Sequence, residues 1–135
     1  MENWEFKKTN ILQVKQKIVA DISIQFALRI VKLYKFLCDI KREYILSKQL
    51  LRSGTSIGAL VRESEHAESK TVFIHKLSIS LKEANETDYW LFILRESEFL
   101  TQSEYSSLQK DCQELLKLLV RIIKTSKSNL NNAKK

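Results

Sequence analysis

Proline is absent from all 135 residues, and the only two glycines, Gly54 and Gly58, stand one helical turn apart near the middle of the chain. Strand-rich folds reverse direction often and draw on turn residues each time, so this poverty predicts few reversals and long helices. At 44% hydrophobic and 29% charged, the composition fits an all-α domain, and the length suits one domain with a real core. A glycine inside a helix costs about 1 kcal/mol relative to alanine, so propensity alone would break the chain at Ser53-Gly54. The small run Ser53, Gly54, Ser56, Gly58 and Ala59 instead predicts one continuous helix that another backbone approaches closely.

Hydrophobic periodicity divides the rest. Val19, Ile22, Phe26, Ile30, Leu33, Leu37 and Ile40 recur at steps of three and four, with Asp21, Gln25, Lys32, Lys35 and Asp39 opposite. They predict a first helix over about 16–41. Ser47 is expected to cap a second, about 48–66, with Leu50, Ile57, Val61 and Ser64 on one face. Gln49, Arg52, Ser56, Ala59 and Glu63 share a neighbouring face. Ser69 is expected to cap a third helix, about 70–97. It is apolar along Phe73, Leu77, Leu81, Ala84 and Leu91 and again along Val72, Ile79 and Trp90. So wide an apolar arc predicts cover from two sides, the second a partner copy.

Thr101 and Glu104 have the spacing of a capping box. It opens a fourth helix over about 102–126 that buries Leu108, Cys112, Leu115, Leu119 and Ile122. Residues 1–15 read as a polar extension and 127–135 as a frayed basic tail. The remainder, 16–126, is expected to form an up-down-up-down four-helix bundle.

The net charge of +7 is unevenly placed. Residues 1–42 carry nine basic and four acidic side chains, 43–104 seven and ten, and 105–135 seven and two. Basic outer thirds permit a polyanionic partner, although a charged face is more often only solvated. Lys110, Lys117, Arg121 and Lys124 fall on one narrow stripe of the fourth helix, and Arg29, Lys32 and Lys35 lie on the first. These seven are the candidate nucleic-acid contacts, made to phosphates without base readout. Cys38 and Cys112 lie far apart, as core thiols in a reducing compartment do. The N-terminus lacks a signal-peptide pattern, and no window approaches the ~18 apolar residues of a membrane span. A cytoplasmic protein without membrane contact is expected.

Catalytic chemistry finds little footing. No serine or cysteine stands in a nucleophile elbow, and no glycine-rich loop is present to cradle phosphate. Glu63-x-x-His66 has the spacing that sets a carboxylate and an imidazole on one metal. Di-metal bundles need that motif twice, and Val72 stands where the glutamate before His75 should be, so neither metal nor cofactor is expected. Glu63, Glu83 and Glu86 can converge as the magnesium-holding acids of a nuclease. The favoured reading is a structural polar network of Gln49, Arg52, Ser56, Glu63, Glu83 and Glu86, with the arginine satisfying buried carboxylates.

Several of these motifs carry a resemblance. Gln49-Leu-Leu-Arg52-Ser-Gly-Thr-Ser56-Ile57, Glu63-Ser64, and Lys82-Glu83-Ala-x-Glu86-Thr with Tyr89-Trp90-Leu91 stand together in order and spacing. They resemble the four-helix-bundle family of bacterial proteins first noted as reading frames in intervening sequences of large-subunit ribosomal RNA genes. The likeness covers about residues 18–125. It implies a homo-oligomer, a ring of five bundles. The family is also similar to the accessory proteins of diversity-generating retroelements, which implies nucleic acid and a reverse transcriptase as partners. Leu60 stands where the family usually has asparagine, so a polar site built on that residue is not expected here.

The expectation is therefore a non-enzymatic, oligomeric nucleic-acid-binding protein. Its rivals are a protein-interaction scaffold and a metal-dependent nuclease.

Overall fold

The computed structural model describes residues 4–134, which form four α-helices and no strand. They are α1 (Trp4–Asp39), α2 (Leu46–Ser64), α3 (Lys70–Glu96) and α4 (Gln102–Lys134). Each packs against the next, and α1 returns to α4 more loosely, closing a four-helix bundle. Phe26, Ile30, Leu37, Leu50, Ile57, Leu77, Leu91, Leu115, Leu119 and Ile122 are fully buried at its centre. Ile40, expected on the inner face of α1, is instead 68% exposed because it lies just past the helix end.

The glycines behave as the small-residue run predicts. α2 passes them without a break, and a Cβ at Gly54 would lie 2.9 Å from both Cγ1 and Cγ2 of Ile30. Gly58 faces Ser23 in the same way, its hydroxyl 3.1 Å from such a Cβ. The α1–α2 contact is therefore close backbone packing that any larger residue would wedge apart.

Two of the three caps stand where expected. The Ser69 hydroxyl accepts from the Val72 amide at 3.1 Å. Thr101 and Glu104 form the reciprocal box, the Glu104 amide donating to Oγ1 at 3.1 Å and the Thr101 amide to the carboxylate at 2.8 Å. The third differs. Ser47 is buried within the first turn of α2, and the Glu43 carboxylate caps instead. It accepts from the amides of Ile45, Leu46 and Ser47 at 3.0, 3.0 and 2.7 Å. A glutamate reaches forward over a turn that a serine cannot span, and here it takes three otherwise orphaned donors.

Both ends run further than periodicity predicts. α1 is helical from Trp4 rather than about residue 16, and α4 continues to Lys134 rather than ending near 126. The two helices are antiparallel, with Arg29 meeting Ser107 and Asp111, so the start of α1 runs beside the end of α4. Leu12 and Leu130 both pack against the core, and Ser126 is fully buried. Neither segment contains a helix breaker, and Leu12 and Leu130 anchor the neighbouring turns on the core, so the helices run on. At about 1.5 Å per residue α1 is roughly 54 Å long and α2 only about 28 Å, so α1 and α4 project beyond the α2–α3 turn.

Candidate nucleic-acid interface

The four cations of α4 sit 0, 7, 11 and 14 residues along one helix, which returns them to nearly the same angle at 100° per residue. Lys110, Lys117, Arg121 and Lys124 are all exposed. None of them is paired to a carboxylate among the described residues. They line about 21 Å of helix, pointing away from the buried face of Leu108, Cys112, Leu115 and Leu119.

The α1 residues divide. Lys32 and Lys35 are exposed, but steps of three rotate successive side chains by about 60°, so the set fans out instead of forming a row. Arg29 is not a free cation. Its guanidinium donates to Asp111 at 2.6 Å and to the Ser107 hydroxyl at 2.9 Å, tying α1 to α4. Arg29 and Lys32 also line a cleft of about 440 Å³ with Leu33, Ser103 and Glu104. Glu104 lines the same cleft and Asp111 takes up Arg29, so the cleft itself is of mixed charge. This pairing spans 82 residues of sequence, and no local signal marks it.

The polar network of α2 and α3 exists in part, at the surface. Arg52 bridges Glu83 at 3.2 Å and Glu86 at 2.5 Å, and the Trp90 indole donates to Glu86 at 3.2 Å. The Arg52 side chain is 49% exposed. Its hydrogen bond to Glu86 holds that carboxyl below the usual range, outweighing the opposing effect of burial. Ser56 donates to the Arg52 carbonyl of its own helix, and Gln49 is exposed. Glu63 pairs with Lys76 at 3.4 Å, three turns of α2 away from Arg52. The three glutamates therefore do not converge. Glu63 and His66 are both exposed, His66 in the turn after α2, and no cluster of three or more His, Cys, Asp or Glu able to hold a metal occurs among the described residues.

The buried polar seam lies elsewhere, on hydroxyls that periodicity treats as neutral. Thr87 meets the Ser53 hydroxyl at 3.0 Å and donates to the Glu83 carbonyl at 2.8 Å. Ser80 donates to the Ile57 carbonyl at 2.9 Å, and Cys112 to the Ala84 carbonyl at 3.3 Å. Burial pushes the Cys112 thiol up to about 12, which keeps it a neutral packing group. These contacts hold the register of α2, α3 and α4.

The family model of the 23S rRNA-intervening sequence protein matches residues 15–121, most of the bundle. The chain belongs to that family. Among solved structures it is similar to a protein of unknown function from the S23 ribosomal protein family of Bacteroides thetaiotaomicron. The two are 55% identical with a TM-score of 0.81, over 82% of this chain and 98% of the other. Comparison with curated proteins gives no match. In this chain Lys82-Glu83-Ala-x-Glu86-Thr supplies the acidic side of the network with Arg52, and Leu60 is half-buried on α2. No described helix is long and apolar enough to cross a membrane.

Proposed function

We propose that this chain is a non-enzymatic nucleic-acid-binding protein whose main contact is the α4 stripe of Lys110, Lys117, Arg121 and Lys124, with Lys32 and Lys35 contributing on α1. The observation that carries the reading is that the four α4 cations are aligned, exposed and free of carboxylate partners among the described residues. Of the two acids α4 carries in this stretch, Asp111 is turned away and paired with Arg29, while the exposed Glu114 lies beside the stripe, so the four cations outnumber it four to one. Binding of this kind is to the phosphate backbone, and each neutralised phosphate releases counterions. The family description, which names 23S rRNA, agrees with an RNA context.

Self-association completes the reading. Ile24 and Leu28 are about half exposed on α1, as are Tyr89 and Phe92 on α3. Apolar side chains so placed on two opposite helices support head-to-tail contact between copies, and a closed ring is its natural outcome. A pentamer would set five stripes side by side and multiply a weak phosphate contact.

Fluorescence anisotropy with a structured RNA and a DNA duplex tests the binding. Micromolar affinity at about 50 mM salt is expected, falling steeply as salt rises. The double substitution K117E/R121E should abolish it, and no binding by the wild type at low salt overturns the proposal. Light-scattering mass reads the oligomer directly, and a monomer at working concentration removes the ring.

A further inference from the structure

We infer that the trough between α3 and α4 is a pocket for one unpaired nucleotide of a single-stranded nucleic acid. The inference rests on the reading of the α4 stripe given above and names its substrate class. The trough holds about 360 Å³ and is lined by Leu81 and Asn85 of α3 and by Leu116, Lys117, Val120 and Arg121 of α4.

Its parts match the parts of a nucleotide. Leu81 and Leu116 pack down onto the core, and with Val120 they make an apolar floor that a base can lie on by its flat face. Asn85 is exposed at the edge, and its carboxamide offers one acceptor and two donors to a base edge. Lys117 and Arg121, two of the four stripe cations, line it and are exposed, which suits them to the flanking phosphates. No carboxylate lines the trough. Asp88, one turn from Asn85, is turned into the helix seam, where Gln113 donates to it at 3.4 Å and its other oxygen is buried.

The α1–α4 cleft sets carboxylates against its cations, the α1–α2 groove sets Arg62 against Glu65, and the cleft that joins Phe36, Lys41, Arg95 and Gln102 also takes in Glu98 and Glu104. The trough is of the size that small ligands occupy, about 300–1,000 Å³. An acidic protein helix would suit the charge but needs a footprint of roughly 800 Å² on each partner, far wider than this feature. A duplex keeps its bases stacked and paired, so only an unpaired base can present its face and edge together.

The experiment compares wild type, Asn85→Ala and Lys110→Gln by anisotropy, using a short single strand, as RNA and as DNA, and a duplex of equal charge. Asn85→Ala leaves the net charge unchanged and alters an exposed side chain, and circular dichroism confirms its helix content. It should weaken single-strand binding by about three- to tenfold, the value of one or two hydrogen bonds, and leave duplex binding unchanged. Lys110→Gln, outside the trough, should weaken all three alike. A strand carrying 4-thiouridine should cross-link to residues within 81–85 or 116–121. Equal affinity for strand and duplex, with Asn85→Ala silent, overturns the pocket while the stripe stands. Absence of binding to any probe at low salt overturns both. Should Asn85→Cys resist alkylation in the free protein, the trough is covered by a second chain and the inference fails.

Discussion

Replacing Gly54 by alanine sets two known effects against each other at one buried spot. Alanine is the better helix former by about 1 kcal/mol, so an unconstrained mid-helix glycine would gain stability from the change. At Gly54 the added Cβ would sit 2.9 Å from two carbons of Ile30 and 3.3 Å from its Cβ, and Ile30 is fully buried. A rotamer change can clear only one of the two outer contacts, because Ile30 carries two carbons on its Cβ, and it leaves the third, since that Cβ is fixed to the α1 backbone. The helices must separate, at a cost of about 1–3 kcal/mol for overpacking. The net expectation is a loss of up to about 2 kcal/mol once the propensity gain is subtracted. Urea denaturation measures it, with the slope unchanged if only the native packing is disturbed. The partner substitution Ile30→Ala removes both outer carbons and costs about 2–5 kcal/mol alone. In the Gly54→Ala background it should cost at least about 1 kcal/mol less, a coupling that a double-mutant cycle isolates. A Gly54→Ala protein more stable than wild type would refute close α1–α2 packing as the reason for the glycine.

Other residues allow similar tests. Burial alone would raise the Glu43 carboxyl, but the three amides it accepts from outweigh that and hold it below the ordinary value of about 4.3. Its contribution is therefore complete above that pH and is lost as pH falls through the folded value, so Glu43→Gln should lower stability at neutral pH by about 1–2 kcal/mol and flatten the acid limb of a stability–pH curve. Glu98 holds a left-handed backbone, φ 66°, at the end of α3, and Glu98→Gly should raise stability by up to about 1 kcal/mol in thermal melts. Cys112, buried and with its thiol at about 12, should resist alkylation at neutral pH until the protein unfolds, which timed iodoacetamide labelling reads by mass.

What a reader of the sequence can recover is whatever is local. The capping box at Thr101 and Glu104 and the cap at Ser69 depend on neighbours three residues away, and both are legible. So is the buried line of α4, since a strict period survives whatever the helix packs against. Ser47 misleads because serine is the commoner cap, although the Glu43 cap that replaces it is just as local, two to four residues from the amides it takes. The extended network from Gln49 to Glu63 fails for a different reason: a shared helical face says which residues point one way, not how far apart along the axis they find partners.

The sequence by itself determined an all-α chain of four amphipathic helices, a glycine pair meant for close approach, and a row of cations on the last helix. Helical period and the absence of breakers act within a few residues and need no partner. Tertiary structure alone decided that Arg29 is spent on Asp111, that Leu12 and Leu130 near the ends of α1 and α4 pack on the core, and that Lys117 and Arg121 overlook an apolar trough. Each of these joins groups on different helices, and distances across a bundle are set by packing, which no run along one helix encodes.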